Sequence, residues 1–212
     1  MIEETKTIFK VAMAAPQPRK PTAKTNDVKA PWSDWSEELK QLGVNYRWSS
    51  ILVDERHGAH AGAEQGTVDA YGALGGDGLH AGDRAPDAPG LSNLKTPGSG
   101  TTSLFDIFRP VRHTVLVFSQ DPSAVQDVLA TLKAYPEGLV RSVVVVPRDR
   151  VESVPVDADL ALKDGDGHAY AGYGCSPDAS TIIVIRPDGV VGAIAAGVTG
   201  VKKYFGAIFK GH

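Results

Sequence analysis

Four runs of apolar, largely β-branched residues in the second half of the chain constrain its fold more than any other feature. Val115-Leu116-Val117-Phe118, Val143-Val144-Val145-Val146, Ile182-Ile183-Val184-Ile185 and Val190-Val191-Gly192-Ala193-Ile194 are continuous rather than alternating. Strands of that kind are buried on both faces, so helices must lie above and below them. Pro122 opens a helical segment over 122–134, and Val201, Tyr204, Phe205 and Ile208 have the spacing of a second helix over 198–209. The second strand also takes in Val140 and ends at Pro147. Arg186-Pro187-Asp188-Gly189 between the third and fourth runs is a strong turn signal, which makes those two strands a hairpin.

Strand, helix, strand, connection, hairpin, helix is the order of a thioredoxin-like α/β fold, a mixed sheet flanked by helices. We expect that core over residues 102–212, with Thr102 to Phe108 as a short packing segment at its start. The first hundred residues read differently. Pro16, Pro18, Pro21 and Pro31 make residues 1–31 an extended arm. Residues 32–101 begin with a short amphipathic helix carrying Trp32, Trp35, Leu39 and Leu42, stopped by Gly43. A strand over Val44 to Val53 comes next, rich in aromatic and β-branched residues. From Asp54 to Thr101 the chain holds 11 of its 23 glycines, which predicts a surface loop without a stable helix or a long strand. Arm, helix and strand are expected to pack on the core.

Composition narrows the function classes. With 212 residues, 42% hydrophobic and 22% charged, the chain can bury a core as one domain with arms or as two small ones. The net charge is -3, with 11 basic against 13 acidic residues before position 102 and 11 against 12 after it. Neither part has the basic excess that binding to a phosphate backbone requires, so no nucleic-acid partner is expected. Cys175 is the single cysteine, which excludes an intramolecular disulfide, a CxxC pair, a multi-cysteine zinc site and an iron–sulfur cluster held by this chain alone. Met1-Ile2-Glu3-Glu4 opens acidic, Lys6 and Lys10 interrupt the apolar positions after it, and no run of apolar residues reaches membrane-spanning length. A cytoplasmic protein is the expectation.

Several motifs carry a family resemblance. Gly82-Asp83-Arg84-Ala85-Pro86-Asp87-Ala88-Pro89, Leu104-Phe105-Asp106, His113 ahead of its strand, Asp157-Ala158-Asp159, Gly172-Tyr173-Gly174 and Arg186-Pro187-Asp188-Gly189 resemble the C-terminal thioredoxin-like domain of FAD-dependent aromatic hydroxylases of the phenol 2-monooxygenase type. Tyr46-Arg47-Trp48-Ser49-Ser50 and Asp54-Glu55-Arg56-His57 resemble the last piece of the preceding flavin and substrate region. The resemblance spans about residues 40–210, and the two runs around Asp83 and Asp188 are its most specific parts. It implies a stand-alone relative without the flavin-binding domain, because no GxGxxG unit follows a strand and opens a helix. It also implies a domain without redox chemistry: where redox thioredoxins carry CxxC, this chain has Ser119-Gln120-Asp121-Pro122.

Among residues that could carry chemistry, Tyr46, Arg47 and His113 are the candidate catalytic donors. Trp32, Trp35, Trp48, Phe105 and Phe108 are candidates for an apolar substrate pocket, against the alternative that they pack on their own core. His57 and His60 read as solvated loop histidines rather than metal ligands, since Gly58 and Gly62 oppose the helix that would align them. His80 and His212 are expected to be exposed, Cys175 to be a thiol of ordinary reactivity, and Asp164-Gly165-Asp166-Gly167 to be a turn. No metal or cofactor is expected.

Three functions fit these readings. One is a cofactor-free enzyme of specialised metabolism, an isomerase or a cyclase such as an intramolecular Diels–Alder pericyclase, holding a small apolar metabolite by shape and a few hydrogen bonds. The alternative is a non-catalytic homodimerisation or partner-binding remnant of a flavin monooxygenase. The third is a thiol peroxidase-like activity at Cys175.

Overall fold

The computed structural model describes residues 44–56, 78–149 and 157–209, all within the unit Ser36–His212. Eight strands form one mixed sheet: β1 (Val53–Asp54), β2 (Leu91–Asn93), β3 (Thr101–Thr102), β4 (His113–Phe118), β5 (Val140–Pro147), β6 (Leu160–Asp164), β7 (Thr181–Ile185) and β8 (Val191–Ala195). Their order across the sheet is β1-β8-β7-β4-β5-β6-β2-β3. The helices are α1 (Leu104–Ile107), α2 (Pro122–Leu132), α3 (His168–Gly172) and α4 (Val198–Ile208).

The continuous apolar runs occupy the middle of the sheet, and alternate residues serve opposite faces. Val115, Val117, Val144, Val146, Ile182 and Val184 pack with Val125, Val128 and Leu129 of α2 and with Val201, Tyr204 and Phe205 of α4. Leu116, Phe118, Val143, Val145, Ile183 and Ile185 pack on the other side with Leu104 and Ile107 of α1 and with Ala169 and Tyr170 of α3. Parallel pairing of β4 with β5 across α2, then the antiparallel hairpin β7–β8 and α4, gives the thioredoxin-like order read from the sequence. The helix entry also matches: Asp121 accepts a hydrogen bond from the Ser123 amide at 2.9 Å, with Pro122 opening α2.

The structure corrects the first half. Val44 to Leu52 forms turns, not a strand, and only Val53–Asp54 joins the sheet, parallel to β8. The Tyr46 amide donates to Gly82 O at 2.8 Å instead of entering a ladder, and Ser49 and Leu52 close local turns. Within the glycine-rich stretch, Leu91–Asn93 pairs antiparallel with β6 and extends the sheet. Both β6 and α3 fall where sequence patterning shows only a connection; β6 mixes Lys163 with apolar residues, and α3 is a short five-residue helix opened by Gly167. The helix expected at residues 32–43 and the arm before it lie outside the described residues.

Gly192 on β8 faces the Tyr204 ring so closely that an added Cβ would overlap the Tyr204 hydroxyl and ring. Gly192→Ala should therefore destabilise the protein by about 1–3 kcal/mol, read as a lower denaturant midpoint at unchanged slope.

Candidate functional site

The run Gly82-Asp83-Arg84-Ala85-Pro86-Asp87-Ala88 lies beside the β8 end of the sheet and connects segments distant in sequence. Gly82 has φ +101°, and a Cβ there would stand 2.5 Å from the Arg47 backbone nitrogen, so only glycine fits this crossing. Asp83, 5% exposed, accepts from Arg47 Nε at 2.7 Å and Nη2 at 2.8 Å, and from the His80 amide at 2.8 Å. The Gly82 amide donates to Val191 O at 2.7 Å and the Ala85 amide to Gly189 O at 2.9 Å, which binds the run to the hairpin. Tyr173 donates its hydroxyl to Pro86 O at 2.8 Å, and Asp87 accepts from the Phe105 amide at 2.9 Å near the start of α1.

The triplet Asp54-Glu55-Arg56 forms a second clasp. Asp54 accepts from the Ala81 amide at 2.9 Å, and Glu55 from the Ala196 amide at 2.8 Å just ahead of α4. Arg56 donates to Tyr173 O at 3.0 Å and Leu79 O at 2.6 Å. These charges are spent on backbone groups, so they hold the segment on the core rather than face a ligand.

Between the two most specific motifs runs an open groove of about 560 Å³. Arg84, Ala85 and Pro86 form one side, and Pro187, Asp188 and Gly189 of the hairpin turn another. Phe105, Phe108, Arg109 and Pro110, from α1 and the turn after it, complete the lining. Phe105 and Phe108 stand 6.1 Å apart between ring centroids at 47°, and Phe105 is 57% exposed. The lining is rich in proline and aromatic side chains, the composition of a small-molecule cleft of ordinary size.

The sequence-predicted residues divide between separate places. Phe105 and Phe108 line the groove. Tyr46 and Trp48 form their own exposed pair, with ring centroids 5.9 Å apart, and do not line it. Arg47 is committed to Asp83. His113 belongs to the opposite face of the sheet, where its ring meets Tyr204, Phe205 and Phe209 edge-on at 5.8, 5.4 and 6.0 Å. Burial, and secondarily the positive charge of Arg186, lower its pKa from the ordinary 6.5. Trp32, Trp35, His57, His60 and His212 lie outside the described residues. Sequence reasoning passed over the other eight lining residues as site candidates, Arg84, Arg109, Asp188 and the three prolines among them; the signal available was their place inside, or next to, the motifs already singled out.

Two further expectations are corrected. His80 is half-buried beside Asp54, with Nδ1 4.0 Å from its carboxylate, because the Asp83 clasp draws residue 80 inward. Cys175 departs from an ordinary thiol in acidity: burial pushes its pKa up to about 11, against a smaller opposing effect of Arg56, and so lowers its thiolate fraction at neutral pH. Ser119, at the position of the redox motif in thioredoxins, is buried and shares a 2.7 Å hydrogen bond with Ser180. Among the described residues no group of three or more His, Cys, Asp or Glu is placed to hold a metal, and no helix is long and apolar enough to cross a membrane.

Removing the carboxylate charge with Asp83→Asn should cost about 2 kcal/mol, since a buried acceptor loses its charge-assisted bonds. A thermal melt should show a fall of about 4–8 °C. Cys175, raised from 9.0 to about 11, should react with iodoacetamide at pH 8 about 100-fold more slowly than an unperturbed thiol, and its rate should climb until pH passes about 11.

Residues 110–212 match the family described as phenol hydroxylase, C-terminal dimerisation domain. No curated protein matches the chain in sequence. Among solved structures, the flavin-dependent monooxygenase PieE, solved with FAD and substrate, is 20% identical with a TM-score of 0.47, over 77% of this chain and 24% of its own. Aklavinone-11 hydroxylase, solved with FAD and aklavinone, is 20% identical with a TM-score of 0.46, over 74% of this chain and 23% of its own. This chain therefore spans about a quarter of the length of these two flavin enzymes. The thioredoxin domain of a thiol-disulfide oxidoreductase from Bacteroides vulgatus is 18% identical with a TM-score of 0.45, over 61% of this chain and 96% of its own. Residues 110–212, just under half of the chain, are thus similar to the phenol hydroxylase C-terminal dimerisation domain, and the chain has a thioredoxin-like fold.

Proposed function

We propose that the chain is a homodimerisation module of the kind its family name describes, with an assembly role rather than a catalytic one. The match of residues 110–212 to a dimerisation domain carries this reading. The dispersal of the candidate donors supports it: Arg47 is tied to Asp83, His113 lies under aromatic rings on the far face, and Tyr46 stands away from the groove. The matched segment also exposes two large apolar side chains, Val111 at 68% and Leu139 at 42%. They come from the same end of the sheet, because the His113 amide, two residues after Val111, donates to Leu139 O at 2.8 Å. Exposed aliphatic side chains at one end of a sheet suit a self-complementary two-fold contact.

A second reading, a cofactor-free isomerase or cyclase acting on a small apolar metabolite, is favoured by one observation. The groove carries two of the aromatic residues assigned to such a pocket, Phe105 and Phe108. Tyr46, Arg47 and His113 are absent from its lining, so catalysis there would rest on shape and on the groove's own arginines.

Sedimentation velocity tests the first reading. The purified chain should sediment as a dimer at micromolar concentration, and the double variant Val111→Lys, Leu139→Lys should shift it to monomer while far-ultraviolet circular dichroism stays unchanged. A wild-type chain that remains monomeric at high micromolar concentration overturns the proposal.

A further inference from the structure

The groove carries an imbalance of charge that its fold does not use. Among the described residues the Arg84 guanidinium has no hydrogen-bond acceptor and no ion-pair partner, although it borders an apolar cleft. Arg109, on the other side, donates through Nη1 alone, to Asp106 O at 2.6 Å and Phe108 O at 2.9 Å. The one carboxylate in the lining, Asp188, is already neutralised by Arg186 at 2.6 Å and accepts from the Val190 amide at 3.2 Å. Asp106 and Asp87, the acidic residues of and beside α1, are engaged with backbone amides at Ser103 and Phe105. Among the described residues, Arg84 and Arg109 therefore both stand outside any ion pair.

The neighbourhood behind Arg109 strengthens the excess. Arg112, in the same turn, has its Nε buried without a hydrogen-bond partner. Arg141 reaches the Ile107 carbonyl at 3.4 Å, and its pKa is lowered by burial first and then by the charges of Arg112 and Arg109. Asp159, which partly offsets them, accepts from the amide and the hydroxyl of Ser142, both at 2.7 Å.

We propose that the groove binds a small molecule with a flat apolar body and one acid group, the body lying against Phe105, Phe108 and the prolines and the acid meeting Arg84 and Arg109. A planar guanidinium matches a carboxylate in a fork, and aromatic and proline walls accept a flat ring system. The cavity volume lies within the range of clefts that hold drug-sized ligands. Such binding depends on neither dimerisation nor turnover.

The test uses the full chain with two fluorescent probes of equal body, pyrenebutyrate and the neutral pyrenebutanol. The acid should bind about tenfold or more tightly than the alcohol, the ratio expected for one charge-assisted contact. Arg84→Met, a surface change that keeps an unbranched side chain, should reduce that ratio towards one, as should Arg109→Met, and Phe105→Ser should weaken both probes alike. Thermal melts of the variants establish that they fold; if Arg109→Met is less stable, Arg84→Met carries the test alone. Equal binding of acid and alcohol to the wild-type chain overturns the proposal, as does an acid preference that survives Arg84→Met unchanged.

Discussion

The buried Asp83 carboxylate is the contact on which the arrangement around β8 depends. It holds Arg47 through Nε and Nη2 as a two-point pair, and the His80 amide besides, at distances of 2.7 to 2.8 Å. A carboxylate with that little exposure is tolerable only when donors replace the water it has lost. Once Asp83 is in place, Gly82 crosses against Arg47, Ala85 bonds the hairpin turn, and Arg84 is carried to the rim of the groove. The same run that holds the N-terminal segment down therefore also builds one wall of the candidate site.

The sheet supplies the rigid floor for this. Its central strands bury both faces, one against α2 and α4 and the other against α1 and α3, so each successive side chain is packed. The hairpin turn that opposes Arg84 is the end of two such strands, and α1 is held by a reciprocal cap in which Asp106 N donates to Ser103 Oγ and Ser103 N donates to Asp106 Oδ2. The groove walls thus hang from elements whose positions are set by the core. At the position of the thioredoxin redox motif Ser119 is hydrogen-bonded to Ser180, and burial raises the Cys175 pKa to about 11.

The two proposals divide along the same line. The family match begins at residue 110 and covers the central strands, three of the helices and the exposed Val111 and Leu139. The groove draws more than half its lining from before that point, at Arg84 to Pro86 and at Phe105, Phe108 and Arg109. The proposed assembly surface therefore lies within the matched residues, whereas the proposed ligand cleft is shared between them and the segment clasped onto them.

Much of the core was legible because its signals are local. Uninterrupted Val and Ile runs, Pro122 at a helix start and Pro-Asp-Gly at a turn each report a backbone state with little help from distant residues. Val44 to Leu52 misled for the opposite reason: its aromatic and β-branched residues suit a strand, but its amides find partners in Gly82 and in local turns instead of a neighbouring ladder. Leu91–Asn93 became a strand only because β6 offered an edge to pair with. The aromatic candidates were legible as a class but not as a site. By itself the sequence determined the order of the buried strands and helices, since burial on two faces demands continuous apolar runs. Only the tertiary structure decided that Phe105 and Phe108 share a groove with Arg84 and Arg109 while His113 lies on the other face, because strand parity and long-range hydrogen bonds direct those side chains and neither is written in their spacing.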